Sequence, residues 1–184
     1  MAGLFGAEPD AHLEWRPTIW NGEPVPVVTS EAGARRLSMC PWSLPAAAFT
    51  ESVAPRLRGV IYARDLAPGG GRLRPGFARC LIVIESFAYP AGEPGKRTRD
   101  WFGLRDQPLV AWAGVSMQGG CAGVLTHANA LVWEASPMMP LLLPANAVDH
   151  WLDRAWLPSS GAGFEASNFY YENLGDRWSS GQTE

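Results

Sequence analysis

The residues whose types and spacing are best suited to chemistry lie in Arg79–Tyr89, RCLIVIESFAY. Glu85 interrupts an apolar run, and Tyr89 follows four residues later. On one strand that separation brings both side chains to the same face. A carboxylate in apolar surroundings acquires either a raised pKa, suited to moving protons, or a firm partner such as an arginine. Glu85 is therefore a candidate acid/base group beside Tyr89, or else half of a structural ion pair. Further on, His127 and Glu134 flank Asn129. A lone histidine in such a place is more often a hydrogen-bonded structural residue than a proton shuttle. His12 and His150 sit in polar contexts and are expected at the surface. The chain shows no Ser-His-Asp pattern, phosphate-binding glycine loop or His/Cys ligand spacing, so no metal or cofactor is expected.

Arginine gives a second theme. Arg56, Arg58, Arg64, Arg72, Arg74 and Arg79 fall within 24 residues, opposed only by Asp65. They form either a local patch for an anionic partner or a solvated loop face. The net charge of −3 excludes a global basic field for nucleic acid. Cys40, Cys80 and Cys121 are odd in number, widely spaced and in apolar settings. Reduced, buried thiols and a cytoplasmic location are expected. The N-terminus lacks a basic start and a long apolar run, and no segment nears the ~18 apolar residues of a membrane span.

These residues need elements to position them. The 184 residues fit one domain, expected over 1–176 with a flexible tail at 177–184. Nine tryptophans, sixteen prolines and twenty glycines point to a loop-rich β protein rather than a helical bundle. Strands are expected at Glu23–Thr29, Ala34–Trp42 and Gly59–Arg64, with a hairpin turn at Ser30–Gly33. Residues 1–23 read as irregular, Ala46–Leu57 as one short helix and Ala67–Pro75 as a flexible loop. The run Ala78–Tyr89 reads as one strand buried on both faces. Pro90–Asp100 reads as a polar hairpin loop. Strands follow at Trp101–Leu104 and Leu109–Val115 with the turn Arg105–Pro108 between them, then at Gly123–Thr126 and Met139–Leu143. Pro144–Trp156 reads as a helix with Asn146 as N-cap.

Four segments recur in a telling order: WRPTIWNGEPVPVV at 15–28, LSMCPWSLP at 37–45, RCLIVIESFAY at 79–89, and LTHANALVWEASPMMPLLL at 125–143 followed by DHWL at 149–152. Together they resemble the SRAP (SOS response-associated peptidase) family, over about residues 15–156. The resemblance implies an α+β, β-rich single domain, with curved antiparallel sheets forming a barrel-like core and a few short helices. In that family a cysteine at position 2 attacks the aldehyde of an abasic site in single-stranded DNA and closes a thiazolidine, helped by an Asn, a Glu and a His. Here those positions read Ala2, Tyr62, Tyr89 and Ser136. No thiol, carboxylate or imidazole remains where the family's reaction needs one.

The resemblance also matches Arg64 to an arginine that contacts DNA phosphate, and Trp42 to a tryptophan beside the DNA channel. The leading expectation is thus a catalytically degenerate homologue that binds single-stranded or damaged DNA without cross-linking it, through Trp42, Tyr62, Arg64, Tyr89 and Ser136. That reading needs Arg64, Arg72 and Arg74 to share a groove with Trp42. The alternatives are a recruited protein- or small-molecule-binding domain with no DNA role, and an enzyme with a relocated site around Glu85, Tyr89 and Ser136. A free α-amine on Ala2 would retain only reversible imine chemistry.

Overall fold

The computed structural model describes residues 2–11, 13–14, 16–66, 73–153 and 164–178. A short helix, α1 (Ala2–Phe5), and a two-residue strand, β1 (Glu8–Pro9), precede the hairpin of β2 (Pro24–Glu31) and β3 (Ala34–Pro41). Its turn is Ala32-Gly33 at φ 52° and 83°. Two positive values are the pattern of a type I′ turn, whose twist matches that of the flanking strands. The expected turn at Ser30–Gly33 therefore narrows, and Ser30 pairs with Arg35 inside the ladder. Next come β4 (Val60–Tyr62), β5 (Ala78–Ile84), β6 (Ser86–Ala91), β7 (Thr98–Leu104), β8 (Val110–Met117) and β9 (Gly120–His127). Gln118 and Gly119, at φ 50° and 81°, join β8 to β9 by the same device. The chain continues through β10 (Met138–Pro140), β11 (Leu142–Leu143), helix α2 (Ala145–Leu152) and β12 (Phe169–Glu172).

The run Ala78–Tyr89 is two strands, not one. The chain bends at Glu85. β5 lies between β2 and β8 in the large sheet, whereas β6 pairs β7 in a separate sheet completed by β12. A chain that leaves one sheet for another turns its corner through a bend, and the corner residue loses its ladder neighbours. Glu85 is accordingly exposed, while Leu81, Ile82 and Val83 are buried. Periodicity cannot see such a corner, because the apolar character continues across it.

The large sheet runs β1-β3-β2-β5-β8-β9-β10, with β4 alongside β9 and β11 alongside β8. It is β-rich and strongly curved, and it curls without closing into a barrel. Strands β3 and β9 approach each other, with Cys121 Sγ 4.0 Å from the Cys40 carbonyl oxygen. All three cysteines are free thiols, and Cys40 is only half-buried. The core has two compartments. One holds Val28, Leu81, Val83, Ala113, Val124 and Trp151. The other holds Val27, Cys80, Ile82, Trp112, Phe102 and Phe169, between the two sheets. β5 feeds both by strict alternation, as expected of a strand buried on both faces.

Several boundaries move for physical reasons. Ala46–Leu57 is two 3₁₀ turns, Ala46–Ala48 and Pro55–Leu57, each opened by a proline, at Pro45 and Pro55. The strand expected over Gly59–Arg64 stops at Tyr62, because Asp65 Oδ2 accepts the Tyr62 N–H at 2.9 Å and turns the chain into a 3₁₀ helix. The expected loop Pro90–Asp100 is largely hairpin arms, with Ala91 paired to Thr98. Met139–Leu143 splits at Leu141, whose N–H reaches Val124 on β9 and whose carbonyl takes Ala113 on β8, both at 2.9 Å. Helix α2 is capped by Pro144 in extended conformation, and Asn146 lies inside its first turn. Residues 154–156, expected in that helix, lie outside the described residues.

Arg79 belongs to packing rather than to an exposed patch. It is buried, its Nη1 donates to the Trp151 carbonyl at 3.1 Å, and its guanidinium lies 4.4 Å from that indole's centroid. Trp151 Nε1 in turn donates to Cys80 at 2.9 Å. This reciprocal contact ties α2 to β5.

Candidate binding cleft

A cleft of about 750 Å³ opens beside the second core compartment. Its floor is Trp112, whose Nε1 donates to Val124 O at 2.8 Å. Gly123 leaves the room this indole needs: a Cβ there would collide with the ring. Trp42 stands edge-on to Trp112 at 5.6 Å and donates Nε1 to the Gly59 carbonyl at 2.7 Å. A Cβ at Gly59 would displace the Asn21 amide and crowd the Trp42 nitrogen.

Segment 16–23 forms one rim, although its sequence reads as irregular. Glu23 holds it together, accepting the Trp20 N–H at 2.8 Å and Arg16 Nη1 at 3.0 Å. The Gly22 and Glu23 backbones bond to Trp42 O and Trp20 O, each at 2.9 Å. The opposite rim is β6 and β7. Arg99 and Trp101, two residues apart on β7, face the same way, as period-two geometry requires. Arg99 lies 5.3 Å from the Trp20 centroid and 5.7 Å from that of Trp101. Trp178 closes the corner, edge-on to Trp20 at 5.2 Å. It is held by its N–H on Arg97 O at 2.8 Å and by the Arg177–Thr98 bridge. The tail expected from residue 177 thus begins with two residues seated on β7; residues 179–184 lie outside the described residues.

The positions singled out by sequence scatter around this cleft. Trp42, Tyr89 and Glu85 line it; Tyr62, Arg64 and Ser136 do not. Tyr89 and Ser136 do meet. Tyr89 Oη donates to Met138 O at 2.5 Å, and Ser136 Oγ donates to the same carbonyl at 2.8 Å. Burial pushes the Tyr89 hydroxyl up to about 12, although the Ser136 hydrogen bond pulls the other way. Both hydroxyls are thus spent on one backbone acceptor, and neither is poised as a nucleophile. Glu85, exposed at the corner, makes no ion pair among the described residues. It also makes no hydrogen bond to Tyr89 or Ser136, so the apolar enclosure that argued for an acid/base role does not exist. Tyr62 pairs with Leu125, which lines the cleft, but its own ring carries Arg64, 4.6 Å from the centroid. Asp65, a candidate partner for Arg64, is committed to the Tyr62 N–H.

Of the arginines expected to share a groove with Trp42, neither Arg64 nor Arg74 lines this cleft. Arg64 is exposed on Tyr62, Arg74 Nε donates to Phe49 O at 3.1 Å, and Arg72 lies outside the described residues. The cleft's cations are Arg16, Arg56 and Arg99 instead. Among the described residues no group of three or more His, Cys, Asp or Glu could hold a metal, and no helix is long and apolar enough to cross a membrane. Ala2 opens α1, whose Phe5 carbonyl accepts Arg35 Nη1 at 2.8 Å. Alanine brings neither thiol nor hydroxyl to any site. One legible signal was available for the residues missed: the Arg99-x-Trp101 alternation.

No protein-family model matches the chain, and no curated protein matches it. Solved structures do. A structural-genomics target from Bordetella bronchiseptica aligns over 95% of this chain and 93% of its own, with TM-score 0.69 and 16% identity. A protein from Bacteroides thetaiotaomicron aligns over 83% of this chain and 74% of its own, with TM-score 0.60 and 16% identity. A phage-related protein from Bordetella bronchiseptica aligns over 84% and 79%, with TM-score 0.59 and 16% identity. At that identity the likeness is one of fold.

Proposed function

We propose that this chain is a catalytically degenerate relative of the SOS response-associated peptidases that binds single-stranded or damaged DNA without covalent chemistry. The observation that carries the reading is the cleft, where Trp20, Trp42, Trp101, Trp112 and Trp178 meet Arg16, Arg56 and Arg99. Indoles offer every base a stacking face, and guanidinium groups track phosphate. The four positions where the family keeps its reactive groups support the non-covalent part. Ala2 has no nucleophile, Tyr62 is covered by Arg64, and Tyr89 and Ser136 share one carbonyl.

Fluorescence anisotropy with labelled single-stranded DNA across a salt series tests this. Three phosphate contacts give a log–log slope of about −2. Absence of binding, or an affinity indifferent to salt, would sink the proposal. Borohydride treatment of the complex with abasic single-stranded DNA is expected to trap no adduct. A second reading, recruitment to a small planar ligand or a protein segment, draws on the cleft volume of about 750 Å³, a small-molecule size, and on the acidic pI near 5.6. Binding that ignores salt and prefers an uncharged aromatic over DNA would favour it. The third arrangement, an enzyme built on Glu85, Tyr89 and Ser136, has no base–nucleophile contact to support it.

A further inference from the structure

We propose that Arg99 is a phosphate receptor, clamped by Trp20 and Trp101 and lying unpaired in the cleft until a nucleotide phosphate reaches it; this rests on the nucleic-acid reading of the cleft. Its Nε is buried and has no hydrogen-bond partner. Among the described residues Arg99 makes no ion pair, and Asp100 and Glu23 are engaged by other donors. Asp100 accepts from Tyr171 and Asn173, while Glu23 accepts from Arg16 and the Trp20 N–H.

Desolvating a cationic donor without an acceptor is unfavourable, and structural arginines are normally paired. Two indole faces at 5.3 and 5.7 Å offset part of that cost by cation–π attraction. They cannot replace an acceptor, because a ring face leaves the N–H donors without a conventional hydrogen bond. The planar fork of a guanidinium suits bidentate phosphate binding, and two neighbouring rings limit its freedom to turn away. Trp178, edge-on to Trp20, adds a further aromatic surface for the base attached to that phosphate. The receptor is assembled from residues 20, 99, 101 and 178, so it joins both ends of the chain to β7. The ligand class this arrangement fits is a nucleotide unit, with its phosphate on Arg99 and its base against the indoles.

The test is a titration of the full chain with dTMP, thymidine and inorganic phosphate. The nine tryptophan indole N–H signals are followed by NMR, in wild type, Arg99→Met and Arg99→Lys. The unperturbed signal of Trp151, fully buried in the other core compartment, certifies folding. dTMP is expected to move the Trp20, Trp101 and Trp178 signals and to bind about tenfold or more tightly than thymidine. Arg99→Met is expected to erase that preference. Arg99→Lys, which keeps charge but not the fork, retains only part of it and decides the matter if the Met variant does not fold. Inorganic phosphate moving the same signals with lower affinity identifies the anion as the anchoring group. Equal binding of dTMP and thymidine, or an Arg99→Lys variant indistinguishable from wild type, overturns the receptor.

Anisotropy with single-stranded DNA on the same proteins separates the two claims. DNA binding that ignores Arg99 overturns the receptor and leaves the proposed function. Arg99-dependent dTMP binding without DNA binding overturns that function and leaves the receptor. Loss of both overturns both.

Discussion

The two core compartments share strand β5 yet are built differently. The compartment inside the curled sheet is mainly aliphatic, with Val28, Leu81, Val83, Ala113 and Val124 each at most 3% exposed. The one between the sheets is aromatic, and it thins outward into half-buried Trp42, Phe87 and Tyr89 at the cleft. Aliphatic side chains fill space without polar obligations, so the first compartment can seal completely. Indole and phenol groups bring an N–H or O–H that must find a partner, which favours a margin. Trp42 reaches Gly59 O, Trp112 reaches Val124 O and Tyr89 reaches Met138 O. Their edges are thereby fixed and part of their faces remains for a ligand. A single strand, read alternately, thus feeds both compartments, and its last residues, Val83 and Ile84, reach the cleft.

Truncation in the sealed compartment is the strongest way to break this division. Leu81→Ala is expected to cost about 2–5 kcal/mol in urea unfolding, since the closely packed surroundings collapse only partly into the cavity. DNA affinity of the remaining folded protein should be unchanged. Trp101→Ala should do the reverse, costing about 1–3 kcal/mol of DNA affinity by loss of a stacking face. Its effect on stability should be the smaller of the two, since Trp101 is half-buried at the rim. If Leu81→Ala weakens binding at constant folded fraction, or Trp101→Ala unfolds the protein as readily, the two compartments are not separate in role.

The part of this comparison that could be read from sequence is the part made of periodicity. The unbroken apolar run Leu81–Ile84 announces a strand buried on both faces, and the β-rich, short-helix class follows from tryptophan, proline and glycine content. The corner at Glu85 could not be read, because apolar residues resume at Phe87 and a local pattern carries no record of which sheet pairs with it. The cleft was half legible. Trp42 and Tyr89 were singled out and do line it, whereas Arg64 and Ser136 were singled out and do not. Trp20, Arg99 and Trp178 were missed because their meeting depends on long-range closure. Glu23 fixes one rim, and the Arg177–Thr98 bridge brings the chain's far end to the other. Of the arginine run from 56 to 79, Arg56 does line the cleft, and Arg64, Arg74 and Arg79 do not. Neighbours in sequence there diverge in space, Arg79 into the core, Arg74 onto Phe49 O and Arg64 onto Tyr62.

Tyr89 sits on the border between the two compartments' roles and gives the finest test. Removing its hydroxyl as Tyr89→Phe leaves Met138 O still accepting from Ser136 Oγ at 2.8 Å, so no acceptor is orphaned. The expected cost is about 1 kcal/mol, the net worth of an ordinary hydrogen bond. The ring and its face stay in place, so DNA affinity should hold. Alkali separates the hydroxyl's role from the ring's. Burial raises the folded pKa to about 12 against an ordinary tyrosine value of 10.0. The unfolded chain therefore releases this proton first, and the stability linked to the neutral hydroxyl is complete below pH 10 and declines as pH rises toward 12. Tyr89→Phe has no such proton to lose. The stability gap between the two proteins should stay constant up to pH 10 and then close, by chemical denaturation at successive pH values. A gap that persists unchanged to pH 12 would mean that Tyr89 ionises as freely in the fold as in the unfolded chain, and that the margin is open to water rather than sealed on Met138.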